Sequence, residues 1–81
     1  MENDFLAEEG EYFIICSAEP LTKGKWAASA LFERKVDRNK EFVPAVRHRI
    51  VQSTFDSEQE AVQAAYQHAC QLIEKGIVGL D

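Results

Sequence analysis

Thr54-Phe55-Asp56-Ser57-Glu58-Gln59-Glu60-Ala61 is the stretch on which the fold of this chain turns. Ser57 followed three residues later by Glu60 is a capping box, in which each side chain satisfies a backbone donor of a new helix's first turn. Asp56, Glu58 and Glu60 add negative charge at the positive end of the helix dipole. Downstream, Val62, Ala65, Tyr66, Ala69, Leu72 and Ile73 recur at three- and four-residue spacing. That spacing makes one apolar stripe and predicts a helix over 58–75. Gly76 stands where a left-handed residue ends such a helix, and Ile77 is placed to pack back on Leu72. The last few residues read as a short tail, 77–81.

Upstream of the helix the periodicity changes. Tyr12-Phe13-Ile14-Ile15-Cys16 is rich in aromatic and β-branched residues and predicts a first strand over 11–18. Tyr12, Ile14 and Cys16 share one face of it, Phe13 and Ile15 the other, so both faces need cover. Pro20 and Gly24 then reverse the chain. A second strand is predicted over 26–36, with Trp26, Ala28, Ala30 and Phe32 as its core face. The two alanines leave room for a helix to come close. Their weak strand preference keeps a helix over 26–36 as the competing reading. Asp37-Arg38-Asn39-Lys40 is a polar hairpin loop. A third strand follows over 42–52, with Pro44 marking an edge or bulge. Val46, His48 and Ile50 take one of its faces; Arg47, Arg49 and Val51 take the other. Residues 1–10 read as an acidic, loose arm, with a short helical turn through Phe5-Leu6-Ala7-Glu8-Glu9 as the alternative. The expectation is an α+β domain over 11–76: a three-stranded antiparallel sheet in β-β-β-α order, with the C-terminal helix packed on one face.

The chain has 81 residues, which allow one core and no second domain. Hydrophobic residues make up 46% and charged residues 28%, values of a folded globular chain rather than a disordered one. No apolar run nears the ~18 residues of a membrane helix, and the acidic N-terminus is unlike a signal peptide. A cytoplasmic protein without membrane contact is expected. Cys16 and Cys70 are then expected to be reduced and buried, and neither belongs to a Cys-x-x-Cys pair.

The net charge of −5 is unevenly spread. Residues 1–22 hold six acids and no base, residues 23–49 eight bases against three acids, and residues 50–81 one base against five acids. The overall charge opposes nonspecific nucleic-acid affinity, whereas the basic middle leaves room for a specific anion site.

The element order, closing on the capped helix with its Glu60-Ala61 step, resembles the HicB-like antitoxin module, a β-β-β-α core like part of a double-stranded-RNA-binding domain. The resemblance spans about residues 11–75. The turn before the helix is Gln52-Ser53-Thr54 here, without the family's glycines, and the 81 residues are not expected to include the family's DNA-binding helix or ribbon domain. The stretches 12–18, 24–34 and 55–73 also resemble small proteobacterial proteins of uncharacterised role, which implies a fold and no activity.

The candidate chemistry is limited. His48 and His68 are the only histidines, and two imidazoles fall short of a zinc site. The cysteines sit in apolar settings that suppress thiolate formation. Ser57 is a helix cap, and no nucleophile elbow or phosphate loop occurs. By strand parity Arg47 and Arg49 point away from the helix, as does Lys25, while Arg34, Arg38 and Lys40 gather near the second hairpin. Lys25, Arg34, Arg47 and Arg49 are therefore the candidate basic face, to be weighed against neutralisation by Glu2, Asp4, Glu8 and Glu9 of the arm. Tyr12, Phe13 and Ile15 are the candidate interface, because a single helix covers only one face of the first strand. Phe5-Leu6 or a second copy of the chain would supply the cover. Trp26 reads as an anchor at the sheet margin. The chain thus reads as a non-enzymatic binding or protein-interaction module using its outer sheet face, without cofactor or metal. Nucleic-acid binding, as in a HicB-like antitoxin, is the first alternative. A small-molecule or metal site at His48 and His68 is the second.

Overall fold

The computed structural model of the chain describes residues 4–80. The cap at Ser57 forms as the sequence dictates, with the reciprocal bond of Glu60 shifted one residue upstream. Ser57 is the N-cap of helix α1 (Glu58–Lys75), and its hydroxyl accepts from the Glu60 backbone N–H at 3.1 Å. The Glu60 carboxylate reaches back to accept from the Asp56 N–H at 3.3 Å. At the other end Gly76 adopts φ +69°, and the Ile77 N–H donates to the Leu72 carbonyl at 3.0 Å, closing the left-handed terminus. The side chain that docks behind this turn is not Ile77, which is 55% exposed, but Val78, which is buried. The segment read as a free tail therefore contributes to the core. Asp81 and residues 1–3, Glu2 among them, lie outside the described residues.

The sheet has four strands, not three: β1 (Phe5–Glu9), β2 (Tyr12–Pro20), β3 (Trp26–Arg34) and β4 (Ala45–Phe55), antiparallel and paired in chain order. The added strand is the segment read as an acidic arm. Gly10, at φ +58°, opens a two-residue turn, and Glu9 pairs with Tyr12 directly across it. The charge of Glu8 and Glu9 hid the strand pattern of Phe5-Leu6-Ala7, but an edge strand tolerates charge well. The second departure is in β4. While β3 advances from Trp26 to Ala28, β4 advances from Ile50 to Phe55, so extra residues bulge from the ladder. Pro44 precedes β4 and does not cause this bulge. The glycine-poor 52–54 stretch is thus strand, not a turn before the helix. The alanine-rich 26–34 stretch is strand, because β2 pairs with it at every residue and β4 with most of it on the other side.

Helix and sheet meet through small side chains. Ala61, Ala65 and Ala69 form one fully buried row on α1, and Ala28 and Ala30 lie in the same core from β3. Ile14, Cys16, Phe32, Leu72 and Val78 complete the buried set. Tyr12 packs edge-on to Phe32 at 6.0 Å between ring centroids, and His48 does the same at 5.5 Å. Trp26 and Phe55, paired in register, close the margin beside the bulge.

Because the alanine rows set the layer spacing, a larger side chain there has nowhere to go. Ala65→Leu should lower unfolding free energy by about 2 kcal/mol through overpacking, measured by urea denaturation with the slope unchanged.

Candidate interaction face

The sheet face opposite α1 is built by strand parity. Leu6, Ile15, Leu31 and Arg47 lie side by side across the four strands. Glu8, Phe13, Glu33 and Ala45 form the next row, and Ser17, Ser29 and Arg49 the row on the other side. An apolar row therefore crosses the face from Leu6 on β1 to Leu31 on β3 and ends at Arg47 on β4, with Glu8 and Glu33 in the row on one side and Arg49 in the row on the other. Leu6 is 57% exposed. Ile15 and Leu31 are half-buried by their neighbours on the sheet. Ser17 and Ser29 are the small side chains of the face, and they leave a hollow of ≈270 Å³ that Asp4, Glu19 and Arg47 also line.

The proposed basic residues divide between different surroundings. Arg47 and Arg49 take the outer face; Arg47 Nη1 donates to Ser29 Oγ at 2.9 Å, and Arg49 Nη2 lies 3.5 Å from Glu19 Oε2. Lys25 is drawn to Asp56, just ahead of α1. Arg34 has the opposite parity, and its Nε donates to Asp37 Oδ2 at 2.7 Å. The outer face is accordingly mixed in sign, with Glu8, Glu19 and Glu33 among its cations. Of the arm's acids, Glu8 lies 3.6 Å from Lys35, while Glu9 turns to the helix side and accepts from the Tyr66 hydroxyl. That hydrogen bond keeps the Tyr66 phenol protonated well above its ordinary range, with Cys70 adding to the effect.

The candidate interface trio also divides. Phe13 and Ile15 are on the outer face, but Tyr12 packs into the core. Phe13 carries Arg38 over its ring at 4.2 Å from the centroid and Lys35 Nζ at 5.7 Å, so the hairpin cations roof that end of the strip. Leu6 and Leu31 belong to the face and were missed as site residues. Leu31 was legible from parity, whereas Leu6 needed the unexpected strand.

Asp37 and His48 have structural roles. Asp37 is fully buried beneath Arg34 and Lys40, whose Nζ lies 2.7 Å from Oδ1. Hydrogen bonds from Arg34 and then Lys40 hold its carboxyl below the ordinary 3.8, against the opposing effect of desolvation. This ion cluster pins the β3–β4 connection. His48 Nε2 donates to the Val78 carbonyl at 2.7 Å, which places the ring proton on that nitrogen and ties the C-terminal segment to β4. Burial pushes the Cys16 thiol up to about 11, with Cys70 contributing, so Cys16 is a poor nucleophile. Both cysteines are free thiols; Cys16 is buried and Cys70 half-buried. Among the described residues no group of three or more His, Cys, Asp or Glu is arranged to hold a metal ion. No helix among them is long and apolar enough to cross a membrane. A trough of ≈600 Å³ runs between Phe5 and the Val62–Tyr66 side of α1. Its polar lining is Gln63, Gln67 and the Tyr66 hydroxyl, which offers no acid–base pair.

Comparison with protein-family models, with curated proteins and with solved structures finds no match to this chain.

A carboxyl held low in the folded state stabilises the fold above its unfolded-state pKa and loses that contribution as pH falls through the folded-state value. Asp37→Asn should therefore lower the melting temperature at pH 7. The gap from the unsubstituted chain should narrow as pH drops below 3.8, followed by circular dichroism melts across pH 2–7.

Proposed function

We propose that this chain is a non-enzymatic interaction module whose working surface is the outer face of the sheet. The observation that carries the reading is the aligned row of Leu6, Ile15 and Leu31, across three strands, with α1 packed on the opposite face. Leu6 is exposed and Ile15 and Leu31 are half-buried, and a contiguous apolar row on an otherwise polar face suits a contact surface. The rim of Arg47, Arg49, Glu8 and Glu33 suits a protein surface of mixed charge better than a polyphosphate. The engagement of Arg34 by buried Asp37 and of Lys25 by Asp56 also weighs against a nucleic-acid face. The employment of His48 in holding Val78 weighs against a metal or small-molecule site at the histidines.

A photo-crosslinking residue placed at Ser29, in the middle of the outer face, should yield a discrete protein adduct in cells of the source organism. The same residue at Gln71, exposed on α1, should not. Crosslinks to nucleic acid from Ser29 would favour the alternative reading. Equal, diffuse labelling from both positions would overturn the assignment of a working face.

A further inference from the structure

We infer that the surface which covers the outer face is the outer face of a second copy of this chain, stacked about a two-fold axis parallel to the strands. This rests on the reading of that face as the interaction surface and adds the identity and orientation of the partner.

The first argument is shape. The molecule measures 40 × 28 × 16 Å, one helix layer on one sheet layer. Its radius of gyration is 12.8 Å, against about 11.7 Å for a compact domain of this length. Its accessible surface is 5608 Å², against roughly 4,900 Å² for a monomer of its mass. Stacking two copies outer face to outer face gives a helix–sheet–sheet–helix sandwich about twice as thick, with both apolar strips inside.

The second argument is charge. The meander places β1 and β4 at opposite edges of the sheet. The β1 edge of the outer face carries Asp4 and Glu8, and the β4 edge carries Arg47 and Arg49. A two-fold axis parallel to the strands lays β1 of each copy over β4 of the other, so on both sides of the axis Arg49 comes over Asp4, and Arg47 over Leu6 with Asp4 and Glu8 on either side of it. The alternative axis, across the strands, lays β1 on β1 and β4 on β4 and sets like charges against each other. Only the first axis makes the face complementary to itself, as a two-fold interface requires.

The register agrees. With the axis between β2 and β3, Ile15 of one copy lies over Leu31 of the other. Ser17 lies over Ser29, so the two hollows of ≈270 Å³ meet on the axis as one polar cavity that holds water. The guanidinium of Arg49 in one copy faces the Asp4 end of the other. Each of the existing intramolecular pairs on this face is exposed and easily exchanged; the Arg49–Glu19 pair is 3.5 Å long.

Size sets the expected strength. Four strands about 4.8 Å apart and about six residues long present a plane of roughly 19 by 20 Å. Two such rough planes remove roughly 1,000–1,200 Å² of accessible surface, the lower end for a specific interface. Interfaces of this size belong to weak, transient pairs, so the dimer is expected at micromolar concentrations of the chain.

Two charge-reversed variants test the orientation. Arg47→Glu with Arg49→Glu makes both edges acidic; Asp4→Lys with Glu8→Lys makes both edges basic. By light scattering after gel filtration at high micromolar loading, the unsubstituted chain should run at twice 9.2 kDa. Each variant alone should dissociate at least about tenfold more readily while keeping its circular dichroism spectrum. Their equimolar mixture should recover the dimer, because every edge contact is then between opposite charges. A monomeric unsubstituted chain at several hundred micromolar overturns the proposal without recourse to any variant. Recovery failing in a mixture of folded variants overturns the orientation and with it the proposal. These results are separable from failure of the underlying reading. A Ser29 adduct with a different protein keeps the working face and removes the self-association, whereas no Ser29 adduct of any kind removes both.

Discussion

Everything in this small fold depends on the close seating of one helix on one sheet. Ala61, Ala65 and Ala69 on α1, with Ala28 and Ala30 on β3, let the two backbones approach within the reach of methyl groups. Larger side chains then fill the flanks: Ile14 and Phe32 from the sheet, Leu72 and Val78 from the C-terminal side. An alanine row costs little side-chain entropy on burial and sits well in a helix, so it combines local propensity with tertiary packing. It also defines how much one helix covers. A helix about 10 Å across cannot shield both sides of a sheet four strands wide, and the opposite face keeps its Leu6–Ile15–Leu31 strip.

The charge blocks of the sequence acquire meaning through topology. An up-and-down meander lays its strands in chain order, so an N-terminal acidic block and a central basic block become opposite edges of one sheet. Not every charge follows that rule. Arg34 and Lys40 turn in to hold buried Asp37, and Arg38 and Lys35 lie over Phe13. The basic hairpin thus organises its own turn, and the arginines of β4 lie on the outer face, against Ser29 and Glu19. The outer face is mixed in sign at its rim and apolar across its centre.

The C-terminal segment ties these features together. The Schellman ending at Gly76 redirects the chain so that Val78 enters the core and its carbonyl meets His48. His48 in turn stands edge-on to Phe32, the largest buried side chain. A histidine that looked available for chemistry is a clamp between β4, the core and the chain end.

The sequence by itself determined the elements whose signals are local. The Ser57–Glu60 box and Gly76 set both ends of α1, Glu58 to Lys75, because capping and positive φ are satisfied within a few residues. The central pair of strands, the outward parity of Arg47 and Arg49 and the core face of Ala28, Ala30 and Phe32 followed from the two-residue period of a strand. Tertiary structure alone decided the rest. Phe5–Glu9 is a strand only because β2 offers it an unpaired ladder, an energy that no local propensity records. Val78 rather than Ile77 is buried because the direction of the chain after Gly76 is fixed by the sheet beneath it. Arg34 and Lys25 leave the proposed basic surface because Asp37 and Asp56 reach them only once the hairpin and the helix start are in place. The candidate site is of this second kind: its strip joins residues from three strands, and such a row exists only in the register of the folded sheet.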